Sequence, residues 1–167
     1  GTRSGRPDLM AWFPLCFLFV LLPLADYAVG HDPRNPAAAD VAALEQDRWF
    51  RLLTLLAVPV QYATLAWSLQ HWAQAPFSLA GSIGSLASLG VVGGVLAINV
   101  AHELIHKDTR LERAAGGLLL ASGGYHGFKV EHVRGHHVHV STPEDASSAR
   151  FGQSLWHFLP RALLRNT

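Results

Sequence analysis

The 167-residue chain is 50% apolar and only 15% charged, with a formal net charge of +1, whereas a typical soluble domain is about 25% charged. That shortfall points to lipid, and the lack of a basic run excludes a phosphate-tracking nucleic-acid binder. Cys16 is the one cysteine, which excludes a disulfide framework and a cysteine-based zinc site.

The chain opens without an initiator Met, the expectation being that it starts mid-protein. Arg3 and Arg6 precede an apolar stretch, as in a signal peptide. That stretch continues to Val29, too long for a signal core, and Pro23 and Asp26 stand where a small-residue cleavage site would be. Residues 9–29 are therefore read as a first membrane span, since a crossing needs about 20 apolar residues. Gly30, Pro33 and Pro36 then make an aqueous loop, followed by an amphipathic stretch with Asp40, Glu45, Asp47 and Arg48.

A second span is expected over 49–71, with Trp49, Trp67 and Trp72 near the headgroup level and Pro59 as a kink. A link through Pro76 leads to a third span over 77–101. Its Gly81, Gly84, Ser85 and Ser88 let helices approach closely in lipid. Residues 114–124 are too short to cross and read as a re-entrant or interfacial helix that returns the chain to the same side. The fold class is all-α, a polytopic membrane helix bundle forming a single partial membrane domain over 1–167. Arg34 and Arg48, and the many basic residues after residue 102, put the basic regions on the cytoplasmic side, although Arg3 and Arg6 count against that orientation.

Eight of the ten histidines lie from His102 to His157, and five of them form His102-x-x-x-His106 and His132-x-x-x-His136-His137. Residues four apart share a helix face, so each pair suits one metal ion or two neighbouring ions, while His137 points about 100° around toward a second ion. Ionisable groups directly after an apolar span are costly and mark function. Imidazole suits iron, copper, nickel and zinc alike, so the ligands do not name the metal. His102-Glu103-Leu104-Ile105-His106 also satisfies the H-E-x-x-H zinc pattern. An intramembrane zinc protease is therefore one alternative, but it would leave His136 and His137 without a role. A membrane metal-binding scaffold without turnover is another.

The stretch Asn99-Val-Ala-His102-Glu-Leu-Ile-His106-Lys107 resembles the first histidine box of the integral-membrane alkane 1-monooxygenases, within the histidine-box class of desaturases and hydroxylases. Glu131-His132-Val-Arg-Gly-His136-His137, trailed by Ser141-Thr142-Pro143-Glu144-Asp145, resembles their second box. The similarity extends to Pro23-Leu24-Ala25-Asp26 and to 32–36, over nearly the whole chain. It implies a non-haem diiron site with His102, His106, His132, His136 and His137 among the metal ligands. It also implies O2 as co-substrate and terminal hydroxylation of medium-chain alkanes to 1-alkanols, with rubredoxin and its reductase supplying electrons at the cytoplasmic face of a bacterial inner membrane. A related fatty-acid desaturase or hydroxylase is the neighbouring alternative. The family's third histidine box and a further histidine motif have no counterpart after His157, so the chain is expected to be a fragment that is inactive by itself.

Carboxylates should support such ligands, and Glu103 and Glu131, each beside a ligand histidine, are the first candidates. Asp108, Glu144 and Asp145 are weaker, the last two suiting a helix cap. Lys107, Arg110, Arg113 and Arg134 are read as a basic rim for an acidic electron carrier or for anionic lipid. Phe13, Phe17, Leu18, Phe19 and Leu22 could line a path for alkane arriving from the bilayer, ordinary lipid contact being the simpler account. His31, His71, His126, His139 and His157 are not counted as ligands, His139 being the closest case because it follows His137 by two.

Overall fold

The computed structural model describes residues 7–45, 47–74 and 77–165. Arg3, Arg6 and Pro76, which entered the reading of orientation and of the second link, lie outside the described residues. The described residues are helical and strand-free, an all-α bundle as the apolar runs implied. Two compact units, Gly1–Leu96 and Ala97–Thr167, divide the chain.

The first unit opens with α1 (Pro7–Ala11) and α2 (Phe13–Val29). The expected first span is thus interrupted at Trp12, because Pro14 sits in the opening turn of a new helix, where its missing N–H costs nothing. Within α2 a π-turn over Phe17–Leu21 runs into Pro23, which cannot donate to the helical ladder. Gly30 ends α2 at φ +82°, a conformation open to glycine without strain. In the loop, the Arg34 guanidinium and backbone N–H both donate to the Asp32 carboxylate, at 2.8–3.2 Å. The exposed α3 (Ala38–Glu45) follows.

The long helices are α4 (Arg48–Gln74) and α5 (Leu79–Ile105), 27 residues each, and both are long and apolar enough to cross a membrane. At 1.5 Å per residue each is about 40 Å long, more than the ~30 Å hydrocarbon core. Only 11% and 17% of their apolar windows are buried. A soluble core helix would hide most of that surface, so lipid is the solvent these faces fit. Pro59 lies inside α4 without ending it.

The small residues of α5 act as anticipated. Ser78 caps its first turn by accepting from the Gly81 N–H at 3.2 Å, and the Asp8 carboxylate of α1 accepts from the Ser78 N–H at 3.0 Å. A Cβ at Gly84 would stand 2.5 Å from the Trp12 ring, so glycine is what lets the N-terminal segment lie against α5. The Ser88 hydroxyl closes the contact on the Ala11 carbonyl at 2.6 Å.

In the second unit, the last turns of α5 meet α6 (Arg110–Ser122). Thr109 caps α6 by accepting from the Glu112 N–H at 3.2 Å. The short apolar segment expected near 114–124 is the body of this helix, which buries Ala115, Gly116, Leu119 and Leu120 against Ala101, Leu104 and Ile105. A Cβ at Gly116 would come within 2.9 Å of Ile105 Cγ2 and 3.0 Å of the Ala101 carbonyl. Next come α7, residues 128–139, and α8 (Leu155–Arg165).

Candidate metal centre

The first box rides on the end of α5. The helix continues past residue 101, where the third span was expected to end, and carries His102 in its final turn, with His106 as its C-cap. Their ring centroids are 5.0 Å apart, the one-above-the-other placement that a four-residue spacing gives. Arg113 holds this helix end by donating to the Lys107 and Asp108 carbonyls, and Lys129 Nζ donates to the Arg113 carbonyl at 2.7 Å. Arg113 therefore pins the short connection between α5 and α6. Lys107 is also engaged, its ammonium 2.6 Å from Glu103, so two members of the supposed basic rim are committed locally.

The second box departs from a regular α-helix. Residues Glu131–His136 form a π-turn between α-helical Phe128–Val130 and His137–His139. A π-turn closes on the fifth residue rather than the fourth, so His137 comes under His132 instead of pointing away from it. His136 stays beside the same ring, nearly parallel to it at 5.4 Å between centroids. One turn thus presents three imidazoles on neighbouring directions.

The boxes converge on His132. Its Nε2 lies 2.8 Å from His102 Nε2, 3.1 Å from His106 Nε2 and 3.1 Å from His137 Nε2. An imidazole nitrogen offers a single in-plane site, either an N–H or a lone pair. At most one of these three contacts can be an N–H···N hydrogen bond. The others bring lone pairs or protons together, and a shared cation relieves that opposition. Two donors each ~2.1 Å from one ion and about a right angle apart stand about 3 Å from each other, which is the spacing found. His102, His106 and His132 together meet the proximity expected of metal ligands.

His132 is buried, and Phe128 stacks on its ring at 4.8 Å. Burial, with the neighbouring imidazoles adding like charge, pushes its pKa down to about 4. His132 is therefore neutral at physiological pH, the form that binds a metal. His102 and His106 are exposed on the face away from α6.

His136 faces elsewhere with its inner nitrogen. Its Nδ1 is 2.8 Å from Asp145 Oδ2, and Asp145 is buried. Burial alone would raise the Asp145 pKa, but hydrogen bonds from Ser148, the Ser147 N–H and His136 hold it below the ordinary carboxylate value. The two first-choice carboxylates behave otherwise. Glu103 pairs with Lys107, and Glu131 packs over Gly135, where any Cβ would stand 2.3 Å from its carboxylate oxygen.

The five predicted ligands are thus gathered on two helix ends, with four Nε2 atoms meeting and His136 alongside. Phe128 was missed, and a signal existed in its position four residues before His132. His139 is exposed and its carbonyl accepts from Thr142, while His71 stacks on Trp67 at 5.0 Å. Among the residues proposed to guide substrate, Phe13, Phe17, Phe19 and Leu22 are exposed. None of the five lines the apolar cavity of about 190 Å³ in the first unit, whose walls include Met10, Pro14, Trp67, Phe77 and Leu89.

Comparison with known proteins places this site in context. The fatty acid desaturase family model matches residues 76–167, which contain both boxes. The chain is 48% identical to "Alkane 1-monooxygenase 2" of Alcanivorax borkumensis over 99% of its own length and 44% of that protein. It is 50% identical to "Alkane 1-monooxygenase 2" of Pseudomonas aeruginosa over 98% of its length and, again, 44% of the relative. A more distant similarity, 36% over half of the chain and 22% of the relative, is to the "Xylene/toluene monooxygenase hydroxylase component" of Pseudomonas putida. The chain therefore spans under half the length of the curated relatives it matches.

Proposed function

The chain belongs to the fatty acid desaturase family, and on that premise we propose that it carries part of the centre of a membrane non-haem diiron monooxygenase. The complete protein hydroxylates the terminal carbon of medium-chain alkanes to 1-alkanols, using O2 and electrons from rubredoxin and its reductase. The observation that carries this reading is the meeting of three histidine Nε2 atoms on that of His132, within 2.8–3.1 Å. The relatives named as alkane 1-monooxygenases support an alkane as substrate.

When bound, the irons would supply activation of O2 and oxidation of the substrate C–H bond. The chain's own residues do the rest. His102, His106, His132 and His137 offer nitrogen donors, His132 being kept neutral by burial, and His136 offers its Nε2. Phe128 covers one face of the His132 ring and limits water there. The apolar spans bring the site to the level where an alkane is already concentrated. The basic residues after residue 102, with Arg34 and Arg48, support an orientation with the site on the cytoplasmic side of the membrane, taken here as a bacterial inner membrane.

A desaturase or fatty-acid hydroxylase is the second reading, favoured by the family description alone. The zinc protease reading fits less well, because Glu103, the would-be general base, is tied to Lys107 and the second box joins the first. The deciding experiment gives the complete protein rubredoxin, its reductase, O2 and a medium-chain alkane. A primary alcohol is expected, and an alkene or an unchanged alkane would overturn the proposal.

A further inference from the structure

Behind the second histidine box lies a carboxylate that the proposed reaction leaves without a role. Asp145 is 1% exposed and both its oxygens are engaged. Oδ2 accepts from the Ser148 hydroxyl and stands 2.8 Å from His136 Nδ1, while Oδ1 accepts from the Ser147 N–H at 2.8 Å.

The backbone that delivers it is tightly organised. After α7, Thr142 turns the chain by donating its hydroxyl and its N–H to the His139 carbonyl, at 2.7 and 2.9 Å. The Asp145 N–H then donates to the Thr142 carbonyl at 3.2 Å. Ser148 closes the loop, since its oxygen also accepts from the Ser141 N–H at 3.0 Å. From α8, Arg161 reaches across to the Ser148 carbonyl, at 2.5 Å, and approaches that of Asp145, at 3.5 Å. A single loop is held at three points, with the carboxylate at its centre.

A buried carboxylate accepts only, so the proton in the His136–Asp145 contact sits on His136 Nδ1. That fixes the tautomer and turns Nε2 outward with its lone pair free. An imidazole that donates to an anion through one nitrogen is also a stronger donor through the other. We propose that Asp145 is a positioning residue that sets His136 as an Nε2 metal ligand, with Ser148 and Arg161 anchoring its loop. This inference rests on the reading of the two boxes as a metal centre.

The test uses the complete protein, loaded with 57Fe, in wild-type, Asp145→Asn and Ser148→Ala forms. Iron affinity is read by competition with a chelator, the iron environment by Mössbauer spectroscopy, and folding by circular dichroism. Asp145→Asn keeps the side-chain volume but lets an amide N–H face His136, favouring the wrong tautomer. It should keep its helicity, bind iron about ten- to a hundredfold more weakly, and alter the quadrupole splitting of the iron that His136 serves. A loop that was merely structural would leave the splitting of the bound iron unchanged. Ser148→Ala, which frees one lone pair of the same carboxylate, should weaken binding about threefold and shift the same signal. Wild-type affinity and spectrum in a folded Asp145→Asn protein would overturn the proposal. If that variant did not fold, an unaltered Ser148→Ala would overturn it instead. A wild-type protein that bound no iron would refute the metal-centre reading itself, an outcome distinct from either.

Discussion

His102 and His132 are thirty residues apart in sequence, yet their Nε2 atoms lie 2.8 Å apart. The contact ties the end of a membrane-length helix to a π-turn. Both partners are held from behind, His102 by the packing of α5 on α6 and His132 by Phe128.

His132 is the residue around which the other nitrogens gather, so its loss should be felt most. Replacing it with Gln should cut bound iron per complete protein by well over half, whereas His126→Gln and His139→Gln should leave iron content within about a fifth of wild type. Metal analysis of the three purified variants checks this.

Gly116 is where α6 touches the first box helix, and the Ile105 Cγ2 methyl together with two backbone atoms, the Ala101 oxygen and the Ile105 nitrogen, crowds any side chain there. Gly116→Val should destabilise the protein by about 1–3 kcal/mol and weaken iron retention, because Ala101 and Ile105 flank His102. Gly90, with nothing within 4 Å of an added Cβ, should accept Ala with little effect. Thermal unfolding in detergent separates the two.

Glu103 distinguishes the enzyme classes. With its carboxylate on Lys107, an exposed pair of this kind is worth about 0.3–0.5 kcal/mol. Glu103→Gln should therefore keep iron content and at least about a tenth of the hydroxylase rate. A zinc protease would lose nearly all of its activity with that glutamate.

The sign of the acid response follows from His132. Its folded pKa, about 4, lies below the 6.5 of a free histidine, so between these values the unfolded chain takes up a proton that the folded chain refuses. Stability of the metal-free protein should accordingly be complete above about pH 6.5 and decline as the pH falls toward 4. His132→Phe should flatten that part of the profile, measured as unfolding midpoint against pH.

Much of this was legible in the residues. Apolar length gave α4 and α5 almost to their ends, and the spacing of His102 and His106 gave their stacking, because both follow from the period of an α-helix. What escaped depends on departures from that period or on contacts distant in sequence. Pro14 restarted a helix inside an apolar run with no polar residue to mark the break. The π-turn at Glu131–His136 brought His137 under His132, where a 3.6-residue period turns it away. Asp145 could be named only as a weaker supporting carboxylate or a helix cap, since its pairing with His136 requires Thr142 to reverse the chain. Gly116 carried no pattern at all; its role lies in the width of the gap between two helices.

The account stands most directly on the metal content of the complete protein, expressed in medium containing both iron and zinc and analysed by elemental and Mössbauer measurement. It predicts two irons per protein in an exchange-coupled pair, with iron lost when His132 or His137 is replaced. One tightly held zinc and no iron, unaffected by replacing His137, would contradict it.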